Sequence, residues 1–143
     1  MLSKTCTTAI KAVIYLCSKF ETGENASIKE VAEFINASEH SVGKILQTLV
    51  RYNVINSLKG PTGGFYISKE QQKQPIIRIV EAIDGKQIFK MCGLGLSKCS
   101  ALHPCPIHND YKKARDLMEK LFSEKNVTSL CEPVNQGLAY LMG

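Results

Sequence analysis

The sequence predicts a mainly α-helical chain with one small β-hairpin, and three observations carry that prediction. Apolar residues recur at three- and four-residue spacing in residues 5–20, 28–50, 76–84 and 111–122. Residues 54–69, VINSLKGPTGGFYISK, instead alternate apolar and polar positions on either side of a Gly/Pro-rich turn. Residues 92–108, CGLGLSKCSALHPCPIH, follow neither period and hold three of the six cysteines.

Composition sets the bounds. A chain of 143 residues with 44% hydrophobic side chains can bury a real core as one domain, or as a small domain with an appendage. The net charge of +5 is spread over both halves, which permits a polyanionic partner without requiring one. The opening MLSKTCTTAIKAVIYLCSKF carries Lys11 inside its apolar run and lacks the h-region and cleavage site of a signal peptide. No other segment approaches the roughly 18–20 apolar residues of a membrane span. The expected location is the cytoplasm. There, clustered thiols point to a metal or redox site more than to a disulfide framework.

The elements follow in order. Ala9, Val13, Leu16 or Cys17, and Phe20 form one stripe of a first helix, ended by Gly23 and Asn25. Ser27 with Glu30 three residues on is a capping box, and Ile28, Val31, Ala32 and Ile35 are the buried face of a short second helix. Ser38 caps a third, whose inner stripe is Val42, Ile45, Leu46, Leu49 and Val50. Two short helices joined by Asn36-Ala37 make a candidate helix-turn-helix, whose second helix offers polar N-terminal residues to the major groove of DNA. Ser38, His40, Ser41, Lys44 and Gln47 are the candidate contacts, with plain exposure the alternative for His40.

The hairpin that follows reads as a wing. Glycines 60, 63 and 64 let its tip approach another surface closely, and Lys59 and Thr62 can meet phosphate or the minor groove. Tyr52 and Phe65 are expected to brace it. Pro75 then opens a helix that Gly85 closes, and Asn109 is read as the cap of an amphipathic helix with Tyr111, Ala114, Leu117 or Met118, and Leu121 or Phe122 as its stripe. That stripe can pack onto its own domain, and it also suits pairing with a second copy, the expected use, since winged readers of palindromic sites work as two-fold dimers. The predicted organisation is a winged helix-turn-helix DNA-binding region over residues 1–70. Residues 71–143 hold a linker helix, a cysteine loop (88–108) and the dimerisation helix.

Cys92, Cys99 and Cys105 are spaced C-x6-C-x5-C, and His108 follows as C-x2-H. A loop is the right place for them, because thiolates separated by six and five intervening residues cannot converge on one centre from a helix or a strand. Thiolates select zinc, copper or an iron–sulfur cluster. The spacing leaves zinc and iron–sulfur both open, with free or disulfide-forming thiols as a third case. His103, restricted by Pro104, is expected to be a solvated loop residue. Cys17 and Cys131, the latter before a Glu-Pro break, are expected to be small apolar residues.

The wing segment KGPTGGFYISK and the three cysteines followed by His108 resemble the IscR/NsrR family of winged helix-turn-helix repressors, and the likeness runs from the first helix to about residue 125. The resemblance implies a homodimer that binds promoter operators as double-stranded DNA, with an iron–sulfur cluster in the cysteine loop controlling affinity. In the IscR branch three cysteines and a histidine hold a 2Fe-2S cluster, which carries over to Cys92, Cys99, Cys105 and His108. The family's commoner spacing is C-x5-C-x5-C, so the extra residue between Cys92 and Cys99 leaves 2Fe-2S and 4Fe-4S both open. NsrR-like members take a fourth ligand from the partner's first helix, near the position of Thr7. Threonine is a poor donor, and Cys6 beside it points about 100° away.

The expected function is a transcription regulator sensing redox, nitric oxide or iron–sulfur status. The alternatives are a cluster-free thiol- or partner-controlled regulator, a zinc-binding structural variant, and a small metal or electron carrier. An enzyme is not expected, because no nucleophile–base pair or phosphate loop stands outside the cysteine segment.

Overall fold

Ser3 Oγ accepts from the Cys6 N–H at 3.0 Å and starts the first helix, α1 (Lys4–Ser18), in a computed structural model that describes residues 2–141. Met1, Met142 and Gly143, the outer ends of the two predicted regions, lie outside the described residues. Ser3 also donates to the Asp84 carboxylate through its N–H (2.9 Å) and its hydroxyl, tying this end to a later helix. Cys6, Ala9, Ala12, Val13, Ile14, Leu16 and Cys17 of α1 are all buried, more than a single stripe. α1 stops at Ser18, earlier than predicted. Phe20 begins a 3-10 turn (Phe20–Thr22), closed by Gly23 at φ 67°, and is exposed.

Ser27 and Ser38 cap α2 (Ile28–Ile35) and α3 (Glu39–Arg51), accepting from the N–H groups of Glu30 and Ser41. Asn36 turns the chain between them in the left-handed conformation, φ 54°, that Asn tolerates better than most residues. The inner faces meet in one core: Val31, Val42, Leu46 and Leu49 are fully buried. Truncating one of the two leucines to Ala costs about 2–5 kcal/mol.

β1 (Asn56–Leu58) pairs antiparallel with β2 (Gly64–Tyr66) in the register Asn56↔Tyr66, Ser57↔Phe65, Leu58↔Gly64. The predicted hairpin is present, and so is its need for glycine. A Cβ on Gly63 would stand 2.0 Å from the Leu58 carbonyl oxygen, and one on Gly64, at φ 149°, 2.7 Å from that of Ala26. Phe65 exchanges backbone hydrogen bonds with Ala26 (2.9 and 2.8 Å), which fastens the hairpin to the segment entering α2.

Ser68 and Gln71 cap a single turn, α4 (Lys69–Gln72), before α5 (Ile77–Asp84) closes at Gly85. α6 (His108–Glu124) begins at His108, one residue before the predicted cap Asn109. α7 (Val127–Asn135) replaces the predicted Glu-Pro break: Asn126 and Ser129 form a reciprocal capping box, and Pro133 sits in the last turn. Burial of Val127 and Cys131 against α1 holds this helix despite the donor that proline removes.

α1 is therefore the central element, packed against α2, α3, α5 and α7, while α3 also meets α5. The main core runs from Ala9 to Cys131, so residues 1–70 and 71–141 share it. A smaller cluster of Cys6, Val80 and Phe89 takes Met118 and Phe122 from α6 and seats that helix. Among the described residues no helix is long and apolar enough to cross a membrane.

Candidate DNA-binding face and cysteine centre

The sequence-predicted contact residues lie on one side of the helix-turn-helix. Ser38, His40, Ser41, Lys44 and Gln47 are exposed along the outer face of α3, opposite its buried stripe. The Ser38 hydroxyl is engaged at the helix start, accepting from the Ser41 N–H (3.2 Å) and donating to Ser41 Oγ (2.9 Å). Lys59 and Thr62 are exposed on the hairpin, whose tip is held by Asn25 Nδ2 donating to the Thr62 carbonyl at 3.1 Å. Gln47 and Lys59 line the same groove between α3 and the hairpin, with Val50, Leu58 and Phe65 as its floor. Phe65 is packed against the core and braces the hairpin as expected, whereas Tyr52 is exposed at the end of α3.

A second concavity was missed by sequence reasoning. Lys4, Thr8 and Lys11 on the polar side of α1 face Asn36, Ser38 and Ser41 across a cleft at the start of α3. The signal was present: these three polar residues recur at i, i+4 and i+7, opposite the apolar stripe. Two lysines beside the helix-turn-helix extend the cationic rim of this face.

At the other end, the loop after α5 folds back over the first turns of α6. His108, the first residue of α6, is buried, and its Nδ1 lies 3.3 Å from Cys99 Sγ. Cys92 Sγ and Cys105 Sγ are 3.8 Å apart. The four predicted ligands are thus brought together as two pairs. Among the described residues no three His, Cys, Asp or Glu side chains stand as one metal-holding group. The N–H groups of Leu94 and Leu96 turn toward Cys92 and pull its thiol below the ordinary range, the form a metal takes. His103 is exposed, and its backbone N–H donates to Ser100 Oγ at 3.4 Å.

Arg115 completes the centre and escaped the sequence reading. It is 5% exposed and donates through Nη1 to the Met91 carbonyl (2.7 Å) and to Cys99 Sγ (3.5 Å), while its buried Nε has no partner among the described residues. Three thiols, an imidazole and an orphaned buried guanidinium N–H suit an anionic metal–thiolate group, so the donor set fits one.

The other thiols are of a different kind. Burial, reinforced by Asp84, pushes the Cys6 thiol up to about 12, and Cys6 points into the small cluster under α6. A hydrogen bond to Cys131, together with burial, pushes the Cys17 thiol far up, and the same hydrogen bond pulls Cys131 down. These three are core residues.

Comparison with known proteins agrees with this architecture. The Rrf2 family, described as iron-dependent transcriptional regulators, matches residues 2–133. A protein of Aquifex aeolicus described as an HTH-type transcriptional regulator is 27% identical over 132 residues, covering 91% of this chain and 90% of its own. The HTH-type transcriptional regulator NsrR of Oceanobacillus iheyensis is 24% identical over 136 residues, covering 94% and 91%. Among solved structures, T. potens IscR superposes with a TM-score of 0.74 at 14% identity, covering 100% of this chain and 93% of that one. CymR, the global cysteine regulator of B. subtilis, superposes with a TM-score of 0.69 at 17% identity, covering 92% and 96%. With a winged helix-turn-helix at one end, a cysteine loop at the other and a family match over nearly its full length, the chain belongs to the Rrf2 family: it is a DNA-binding transcription regulator and not an enzyme.

Proposed function

We propose that this regulator is a cytoplasmic homodimeric repressor that reads redox, nitric oxide or iron–sulfur status through a cluster held by Cys92, Cys99, Cys105 and His108. The observation that carries the reading is the pairing of loop thiols with a buried imidazole on α6, Cys99 with His108 at 3.3 Å and Cys92 with Cys105 at 3.8 Å. Such a cluster, 2Fe-2S with these donors, supplies reversible one-electron chemistry and a site open to oxidants and nitric oxide.

The chain's own residues provide the route from loop to DNA. His108 fixes the loop to the first turn of α6, and Met118 and Phe122 seat the same helix on Cys6, Val80 and Phe89. Leu117 and Leu121 point the other way and are exposed at 68% and 45%, an apolar face suited to a second copy of the chain. Loop order would then fix α6, α6 the spacing of the two copies, and that spacing the fit of two α3 helices to successive half-sites of the operator. Ser38, His40, Ser41, Lys44 and Gln47 would read the groove, and Lys59 and Thr62 would meet the backbone.

Purification without oxygen, with iron, sulfide and visible absorbance measured, tests the cofactor, and gel shift of its own upstream region with loaded and stripped protein tests the coupling. Iron and sulfide with a changed affinity on stripping support the reading. One observation favours a second reading, a cluster-free thiol regulator: the Cys92 and Cys105 sulfurs already lie near each other, with Cys92 activated by backbone donors. DNA binding that responds to thiol oxidation in iron-free protein selects it.

A further inference from the structure

His108, Tyr111 and Arg115 recur at i, i+3 and i+7 on α6 and form one face of that helix, distinct from the outward face of Leu117 and Leu121. The cysteine loop lies on this face at three points. Cys99 meets His108, Gly93 passes so close over Tyr111 that a Cβ there would stand 2.7 Å from its ring, and Met91 and Cys99 meet Arg115.

Arg115 is the anomaly of this contact. It is nearly fully buried, and among the described residues no carboxylate pairs with it; the neighbouring Asp116 is held by Lys112 at 2.7 Å. A guanidinium cannot shed its proton to escape burial, and a buried charge without a counter-charge is strongly destabilising. The Met91 carbonyl and the Cys99 sulfur satisfy part of its hydrogen-bonding capacity, and among the described residues its Nε has no partner. Asp116 acts on the guanidinium only through space, and the group held by the loop would bring a negative charge to the side where Arg115 meets Cys99. Three thiolates and a neutral imidazole around a divalent core leave a net charge of about −1, whether the core is zinc or an oxidised 2Fe-2S unit.

We propose that Arg115 is the buried counter-charge of the cysteine centre and the clamp that seats residues 91–99 on α6, a positioning residue that couples the charge of the centre to the docking of its loop. The inference rests on the metal-centre reading above, yet its two halves are separable. The clamp is the Arg115 hydrogen bond to the Met91 carbonyl, which involves no atom of the metal group. The counter-charge acts only when the centre is loaded.

The test uses the full chain as wild type, Arg115→Gln and Arg115→Lys, with circular dichroism and thermal melting to establish that each variant folds. In metal-free protein, hydrogen exchange of residues 91–99 should rise at least about tenfold in Arg115→Gln, while α1 to α3 stay unchanged. In loaded protein, the reduction potential should move to more negative values in Arg115→Gln, because removing a nearby positive charge disfavours the added electron. Arg115→Lys should keep most of the potential and lose the loop protection, since a point charge replaces the planar fork. Unchanged exchange overturns the clamp, and an unchanged potential overturns the counter-charge. A wild type that takes up neither iron nor sulfide removes the iron–sulfur reading instead. In that case exchange still decides the clamp, and a zinc affinity equal in wild type and Arg115→Gln overturns the counter-charge.

Discussion

Replacing Lys59 by Ala removes one cation from the hairpin and alters nothing that the fold depends on. The side chain is exposed, makes no ion pair among the described residues, and lines the groove it shares with Gln47 on α3. Its charge is therefore fully available to a phosphate. Each phosphate neutralised contributes about 0.9 to the slope of log affinity against log salt, so one lost contact makes the affinity deficit about 3.5-fold larger at 50 mM than at 200 mM salt. If two protomers sit on one operator, two contacts are lost together, the slope falls by about 1.8, and the ratio grows to about 12-fold. Fluorescence anisotropy with operator and scrambled duplexes across that salt range measures both quantities. The loss should be similar for the two sequences, because a phosphate carries no base information. Wild-type affinity and slope in Lys59→Ala would refute the hairpin contact, and a loss confined to the operator would turn Lys59 into a base reader.

Three further outcomes are expected. Gln47→Ala, on the exposed face of α3, should change sequence preference by about 1–3 kcal/mol at one base pair with little change of salt slope, measured by competition with single-substituted operators. Ala at Cys92, Cys99 or Cys105 should abolish the cluster, His108→Ala should leave a labile or spectrally altered one, and His103→Ala should be nearly silent. Iron content and visible spectra of protein prepared without oxygen decide this, and an unchanged, equally stable cluster in His108→Ala would move the fourth ligand elsewhere. Glu at both Leu117 and Leu121 should give monomers in sedimentation and weaken operator binding at least about tenfold while the melting temperature holds, because both side chains are already exposed within one chain.

The parts of this protein legible in its sequence are those built from neighbours in the chain. Ser27 and Ser38 cap the helices they precede, Val42 to Leu49 recur at the helical period, and Gly63 sits where a side chain would strike the Leu58 carbonyl oxygen. Each is settled by contacts a few residues apart, which is why the winged helix-turn-helix could be read without coordinates. Tertiary structure decided what depends on distant partners. Pro133 reads as a break, but its helix survives because Val127 and Cys131 bury against α1. Tyr111 reads as part of the outward stripe of α6, yet the Gly93 backbone covers it. No spacing singles out Arg115, and only the return of the loop over α6 buries it beside Cys99. Local spacing determines which face a residue occupies; the energy of burial, which comes from whatever packs on that face, determines what the residue does there.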